Sequence, residues 1–527
     1  MTSDKNSSDN YTLSEPLQNL AKGTILFFIG MVVSYLLGFI GVILIARHWT
    51  QAILGIYSLA YSILVICATI SSLGLNDGLA RSIAYSRGKN ELKKIPDLIS
   101  ASIFFSILAG ILLCLGLFLF SEYIAQNIFQ EPALIYPLKI FALAVPFYTL
   151  IVSIVTIFRG FDQVKPTIYF QNLLVGIFFL ITVVIIIISD LSFINVFYAV
   201  LFSFIIISVT LLLYAVKKLP QLPRFSIKAI FNPTTKELLI FSLPLFATSV
   251  FGIISSWLDT LVLGSFKSAS DVGLYNVVTP LAQFLNFPLM ALWVIFIPIF
   301  SVLYAKGLLE EIKKNYLICT KWIFSAIFPI FIMLFLFSEP IINFLYGPTY
   351  VYQANSNALR ILSFAFIFNI FTGPSGAALL VMGKSKLIMF STLFTLSIDI
   401  ILLILLVPPF GLIGAAIATG TTIISQKLIT NGILYSLSKI QPLNKNIIKP
   451  ILLFTILVIP IYFLTQRFLT ITWWLIILLF ILLYTIYFMS ILVTRSLDED
   501  DLKFLLAVQR KTGIKLSFLS KIITKFL

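Results

Sequence analysis

SIAYSRGKNELKK, residues 82–94, is answered by SVLYAKGLLEEIK, residues 301–313. Both fit Ser-x-x-Tyr-x-(Arg/Lys)-Gly-x-x-Glu-x-x-Lys, at an offset of 219 residues. Upstream, Gly55-Ile56-Tyr57 matches Gly273-Leu274-Tyr275 at an offset of 218, and fainter echoes pair Gly160 with Gly383 and Tyr214 with Tyr435. Self-similarity at a fixed period marks a duplicated architecture. The residues between the motifs say what is duplicated. The chain of 527 residues is 60% hydrophobic and 11% charged, where soluble domains carry about 25% charge. That composition excludes an ordinary soluble enzyme, and runs such as Ile181–Ile188 lack the alternation of a transmembrane strand.

A bilayer-crossing helix needs about 20 mostly apolar residues. Apolar windows bounded by charges, Pro and Gly predict fourteen such helices, near 23–46, 53–75, 98–120, 137–158, 166–188, 193–216, 237–264, 272–302, 316–338, 356–382, 386–407, 412–437, 449–466 and 471–494. Kinks or breaks are expected at Pro280, Pro288, Pro298 and Pro374. The fold class is therefore all-α and polytopic: two six-helix repeats plus two C-terminal helices. The repeats span 22–218 and 237–438, joined by a linker over 219–236; helices 13 and 14 occupy 439–494, between a disordered N-tail (1–21) and an amphipathic C-tail (495–527). Six being even, the repeats are parallel and related by an axis along the membrane normal, an architecture that encloses a cavity able to open to either side. The repeated Ser/Tyr/Gly/Glu/Lys motif is expected to serve as a turn that caps one helix and starts the next.

The net charge of +15 suggests nucleic acid until its placement is read. With fourteen spans both termini share a side, and thirty Lys and Arg fall on that side against four, Arg47, Lys139, Lys267 and Arg467, on the other. The positive-inside rule makes the rich side cytoplasmic, so the charge reflects topology and attraction to anionic lipid rather than nucleic-acid binding. The expected location is the cytoplasmic membrane, with both termini inside. The N-tail, with Asp4, Asp9 and Glu15, lacks the basic start of a cleaved signal. The C-tail opens Ser496-Leu497-Asp498-Glu499, which reads as a capping box. Cys67, Cys114 and Cys319 show no paired spacing, and His48 is a lone histidine. Neither a disulfide framework nor a metal or cofactor site is called for.

Family resemblance lies in ordered motifs. Gly41–Ala46 followed by Arg47, then LGIYSLAYSI (54–63) and SLGLNDGLARSIAYSRGK (72–89), resembles the N-terminal half of polysaccharide and lipid-linked oligosaccharide flippases. SWLDTLVLG (256–264), VGLYNVVTPL (272–281) and IPIFSVLYAKG (297–307) look like that family's second half. The loop after helix 2 does not match the acidic-arginine-glycine-basic signature of the major facilitator superfamily. The resemblance implies a member of the multidrug, oligosaccharidyl-lipid and polysaccharide exporter superfamily, alternating a central cavity to carry a polyprenyl- or dolichyl-(pyro)phosphate-linked glycan. Membrane lipids, H⁺ or Na⁺ and glycan-assembly proteins are the further partners it implies. A multidrug exporter and a lipid II flippase are the alternatives within the superfamily. A membrane glycosyltransferase fits less well, because the outer loops are short and poor in charge.

Ionisable groups inside membrane helices are costly, by about 2.5–3.5 kcal/mol on insertion scales, unless they face water or a partner. They are therefore the candidate site. Lys427 falls near mid-depth in helix 12 and Arg360 about one turn from the outer face in helix 10. Arg47 ends helix 1 outside, while Asn76 and Arg81 end helix 2 and Arg159 ends helix 4, all inside. Phosphate on a lipid-linked sugar needs cationic donors in place of water, and Arg offers paired N–H groups for it. Arg47, Asn76, Arg81, Arg159, Arg360 and Lys427 are accordingly expected to line the substrate path. Asp259 in helix 7 and Asp399 in helix 11 are expected either to bind a coupling H⁺ or Na⁺ or to pair with Lys427 or Arg360.

Overall fold

The computed structural model describes residues 15–219, 232–442, 445–468, 472–499 and 501–502. Most of the expected N-tail, linker and amphipathic C-tail lies outside the described residues. The first six spans are α1 (Glu15–His48), α2 (Gln51–Ser71) continued by α3 (Leu75–Gly88), α4 (Ile95–Tyr123), α5 (Ile135–Gly160), a π-helical stretch (Thr167–Leu173) leading into α6 (Leu174–Ile188), and α7 (Ile194–Lys218). The next six are α8 (Pro233–Phe266), α9 (Ala269–Phe284) with α10 (Phe287–Ala305), α11 (Leu309–Leu336) followed by short α12 (Ser338–Tyr346), α13 (Gln353–Phe371) with α14 (Ser375–Val381), α15 (Ser385–Phe410) and α16 (Leu412–Ser438). α17 (Lys445–Phe468) and α18 (Trp473–Val493) follow. Among the described residues there is no strand, as expected where lipid can satisfy no backbone group.

Among the described residues, thirteen helical stretches are long and apolar enough to cross a membrane. The remaining expected span, 272–302, is present as α9 and α10, which meet at Leu285–Asn286. Pro288 in the first turn of α10 explains the restart, since a proline there gives up only an N–H that has no intrahelical partner. The break near Pro374 is also present, with Gly373 at φ +70° between α13 and α14. Helix 2 differs from expectation. It does not stop near 75 but breaks at Leu73 and Gly74 (φ 49° and 69°) and resumes as α3, so Asn76 and Arg81 lie on a helix rather than at its end. A Cβ on Gly74 would meet the backbone of α8 at Ser242 and Phe246, so the turn is set by that approach. Helix 1 begins at Glu15, inside the stretch expected to be tail.

Both repeat motifs form a helix end and turn. In the first copy Gly88 ends α3 and Glu91 pairs with Lys94 at 2.8 Å; in the second Gly307 turns at φ +73° and Glu310 faces Lys313 at 3.9 Å. Arg87 of the first copy also reaches the Gly160 carbonyl (3.0 Å) and Asp162 (2.7 Å), tying α3 to the end of α5.

The upstream repeat element does something different. Gly55 on α2 and Gly273 on α9 face each other, and each approaches the other helix reciprocally: a Cβ on Gly55 would fall on the Ala269 carbonyl, and one on Gly273 on the Gln51 carbonyl. Ala269 and Gly273 stand 218 residues after Gln51 and Gly55, so the crossing is isologous about the axis relating the two copies. Small residues let membrane helices pack backbone to backbone, where lipid offers no hydrophobic drive to association.

Beyond α18 the chain returns to the bundle. Lys321 of α11, with a side chain only 7% exposed, contacts Asp501 at 2.5 Å and Asp498 at 3.5 Å, and the Trp322 indole donates to Asp501 at 2.9 Å. Asp501 is fully buried. Burial pushes its carboxyl above the ordinary range even though Lys321 opposes the shift. Asp498 also feels burial, but Lys321 and its hydrogen bonds hold it below that range. The capping box is formed by Asp498 and Asp501, each accepting from the other's backbone N–H (3.1 and 2.8 Å). It is not formed by Ser496 and Glu499; the Ser496 hydroxyl bonds Thr494 at 2.8 Å.

Two measurements test this packing. Gly55→Ala should lower the melting temperature of the solubilised protein clearly, since overpacking costs about 1–3 kcal/mol. Gly116→Ala, where a Cβ meets nothing within 4 Å, should leave it unchanged. Lys321→Ala strands a buried carboxylate and should destabilise by about 3–5 kcal/mol, with Asp501→Asn in the same chain restoring part of the loss in the same melting assay.

Candidate functional site

The intramembrane ionisable groups separate into three places. The first holds both acids. Asp259 on α8 is 8% exposed and accepts from the Tyr275 hydroxyl of α9 (2.7 Å) and from the Thr260 backbone N–H (2.7 Å). The Tyr275 hydroxyl is also 3.4 Å from Thr419 on α16. Asp399 on α15 is 4% exposed and accepts from Thr422, one turn beyond Thr419, at 2.9 Å. Among the described residues neither acid has a cation within 4 Å, so pairing with Lys427 or Arg360 is not what holds them.

Lys427 occupies the second place, at the break between α13 and α14. Its ammonium reaches the Gly373 carbonyl at 3.5 Å and faces no carboxylate within 4 Å among the described residues. The surrounding groups are neutral and polar. Tyr316 donates to the Thr372 carbonyl (2.6 Å), Asn431 donates to the Lys427 carbonyl (2.8 Å), and Ser375 and Thr430 share a hydrogen at 3.1 Å. At the break the Thr372 and Gly373 carbonyls are accessible to Tyr316 and Lys427, the Gly373 carbonyl also accepting from the Ser375 N–H at 2.9 Å. Arg360 is not here. It sits thirteen residues earlier along the same span, about 20 Å away along a helix. There it donates to the Phe335 carbonyl at the end of α11 (3.1 Å) and to Asn357 (3.2 Å).

The third place is the charge-poor face, where Arg47 bridges the two repeats. Its guanidinium donates to the Leu345 carbonyl (2.8 Å) and to the Phe344 carbonyl, both at the C-terminal end of α12. A cation is favoured there by the helix dipole and by the unpaired carbonyls. One turn on, Gln51 donates to the Thr349 carbonyl and accepts from Ser270 at 2.8 Å. Arg47 is thus a latch between repeats on one face rather than a neighbour of Lys427. The remaining expected residues face the charge-rich side. Arg81 lies 4.1 Å above the Phe241 ring of α8, Arg159 donates to Thr156 at 2.9 Å, and Asn76 is half-buried on α3.

Sequence reasoning did not find the hydroxyls of Tyr275, Thr419 and Thr422 or the amide of Asn431. Tyr275 carried a signal, since it ends the repeated Gly-x-Tyr. The threonines carried none, because one hydroxyl in an apolar helix usually bonds its own preceding carbonyl. Sequence reasoning also did not foresee an uncharged cavity of about 370 Å³ on the side of the first repeat, reaching to α8 and α9.

Solved structures that share this fold include membrane transport proteins. One is the lipid II flippase MurJ in an inward closed conformation, at TM-score 0.64 and 18% identity, covering 88% of this chain and 98% of that one. Another is a multidrug resistance MATE family transporter of the MOP superfamily in an inward-facing conformation, at TM-score 0.65 and 15% identity, covering 79% and 98%. The protein is a multi-pass integral membrane protein of that architecture. A family model described as polysaccharide biosynthesis protein matches residues 20–303, more than half of the chain, and the chain belongs to that family; a model described as MatE matches 244–405. An uncharacterized membrane protein of Methanocaldococcus jannaschii is 30% identical over 270 residues, 49% of this chain and 52% of that protein. Stage V sporulation protein B of Bacillus subtilis is 26% identical over 149 residues, 28% of each chain. The matched stretch thus spans about half the length, or less, of the curated relatives.

The latch has a direct test. In a background without native thiols, Arg47→Ala should raise the maleimide labelling of a cysteine at Thr349 several-fold. Unchanged labelling would mean that the contact does not hold the face closed.

Proposed function

We propose that this protein is a flippase, not an enzyme, carrying a polyprenyl- or dolichyl-(pyro)phosphate-linked oligosaccharide across the cytoplasmic membrane for surface polysaccharide or glycoprotein assembly. The observation that carries the reading is Lys427: an ammonium within a membrane span, bonded to one carbonyl at a helix break and facing no carboxylate among the described residues. Such a group is stabilised by an anion that comes and goes, and the chain's family membership supplies the class of cargo.

In this reading the charge-rich face is cytoplasmic, and the units 22–218 and 237–438 rock about the Gly55–Gly273 crossing. Asn76, Arg81 and Arg159 receive the head group at the cytoplasmic mouth, Lys427 neutralises its phosphate inside, and Arg47 releases its carbonyls when the outer face opens. Arg360 restrains the end of α11 near that face and meets the phosphate as it leaves. Asp259 and Asp399, joined through Tyr275 and the α16 threonines, take the coupling H⁺ or Na⁺. The prenyl tail stays in lipid throughout. The acidic pair also supports a second reading, a multidrug exporter that binds organic cations.

Reconstitution with a fluorescent lipid-linked oligosaccharide separates these readings. Hydrogen bonds to charged groups contribute about 1.5–3 kcal/mol, so Lys427→Met should slow translocation by roughly ten- to a hundredfold. Asp259→Asn with Asp399→Asn should flatten its dependence on an imposed H⁺ or Na⁺ gradient. Translocation unaffected by Lys427→Met, together with saturable uptake of ethidium, would overturn the flippase in favour of the exporter.

A further inference from the structure

Among the described residues, the cavity on the side of the first repeat is lined by no charged side chain. Its walls come from α1, α2, α6 and α7, with Trp257 of α8 and Asn276, Pro280 and Gln283 of α9, and no acidic or basic side chain is among them. At about 370 Å³ it falls within the range of small-molecule sites, about 300–1,000 Å³. Its aromatic rings form a continuous run: Phe179 stacks on Tyr57 (centroids 5.8 Å apart), Tyr57 on Tyr61 (5.8 Å), and Tyr61 meets Trp257 edge to face at 6.0 Å.

The decisive feature is which polar groups are already engaged. Ser58 and Ser203 donate to carbonyls in their own helices (2.9 and 2.7 Å), and Tyr35 donates to the Pro280 carbonyl at 3.1 Å. The hydroxyls of Tyr57 and Tyr61, the indole N–H of Trp257 and the amide of Gln283 make no hydrogen bond within the described protein. Tyr57 is only 8% exposed, so its hydroxyl has the cavity as its source of partners. A hydrocarbon chain here would leave these donors unpaired, an outcome that buried polar groups rarely tolerate. An anion would meet no cation.

We infer that this chamber binds an uncharged sugar ring, with its C–H face on the Tyr61–Trp257 platform and its hydroxyls taking the donors of Tyr57, Tyr61, Trp257 and Gln283. The inference rests on the flippase reading and deepens it. The cargo would be read in two parts, its phosphate by Lys427 in one repeat and a neutral sugar by the aromatic chamber of the other. The repeat itself explains the division. Position 41, which corresponds to Asp259 at the 218 offset, is glycine, and Phe179 packs over it. One copy therefore carries an acid where the other carries a ring.

Gly38 offers a clean way to close the chamber, because it lines the cavity and a Cβ there meets nothing within 4 Å. The full chain in nanodiscs can be examined by saturation-transfer NMR against neutral disaccharides (maltose, lactose, mannobiose and chitobiose), with geranylgeraniol as the apolar probe. At least one disaccharide should show transfer to its ring C–H protons. Gly38→Leu should abolish that transfer, and the isosteric Tyr57→Phe with Tyr61→Phe should weaken it at least fivefold. Gly116→Leu, equally unobstructed in space, should not change it. No transfer to any disaccharide, transfer that survives Gly38→Leu, or geranylgeraniol binding abolished by Gly38→Leu in place of sugar binding would each overturn the inference. Lys427→Met measured in the translocation assay separates the two ideas. Loss of translocation without sugar binding sinks the chamber alone, and sugar binding with translocation indifferent to Lys427→Met sinks the phosphate reading alone.

Discussion

The two repeats come closest where α2 and α9 meet without side chains between them. Gly55 and Gly273 bring each backbone against the other helix's carbonyl, and no larger residue fits without parting the helices. Lipid provides no hydrophobic gain for helix association, so close van der Waals contact and the hydrogen bonds beside it must hold the joint. Those bonds are present: Ser270 to Gln51 across the crossing, and Arg47 to the end of α12 one turn away. The repeats also touch where α3 meets α8, at Gly74 against Ser242 and Phe246, and Asn232 donates to Asp97 at 2.7 Å on the charge-rich side, so the glycine crossing is flanked by contacts on both faces.

Around this joint the copies have diverged in chemistry while keeping their shape. The shared Gly-x-Tyr puts Tyr275 against Asp259 in one copy and Tyr57 against Phe179 in the other. Glycine in place of aspartate, with Phe179 packed over it, replaces a carboxylate site by an aromatic one. Burial suits both. A carboxylate at hydrocarbon depth is tolerable when hydroxyls surround it, and unengaged phenols are tolerable when they border a cavity.

The cations illustrate how far a one-dimensional reading goes. Their depth followed from counting along apolar windows, and the expensive ones, Lys427 and Arg360, were found that way. Their grouping did not follow. Arg360 on α13 lies thirteen residues from the Gly373 break that Lys427 of α16 reaches, and Arg47 closes a face by satisfying carbonyls on the other repeat. A charge in the sequence gives its cost, while its partner is fixed by helix rotation and by which carbonyls a break such as that at Gly373 makes accessible, which no pattern of residue types encodes.

The amino-acid sequence alone determined the helical fold class, how many apolar segments the chain has, that it is duplicated, and that the eighth and tenth spans carry prolines able to break them. Each of these rests on hydropathy, periodicity or the chemistry of proline, all of them local along the chain. The tertiary structure decided the glycine crossing, the assembly of Asp259, Asp399, Tyr275 and two threonines, the burial of Asp501 against Lys321, and the uncharged chamber. Each of these joins residues tens to hundreds of positions apart, and whether such residues face one another depends on helix rotation to within a fraction of a turn.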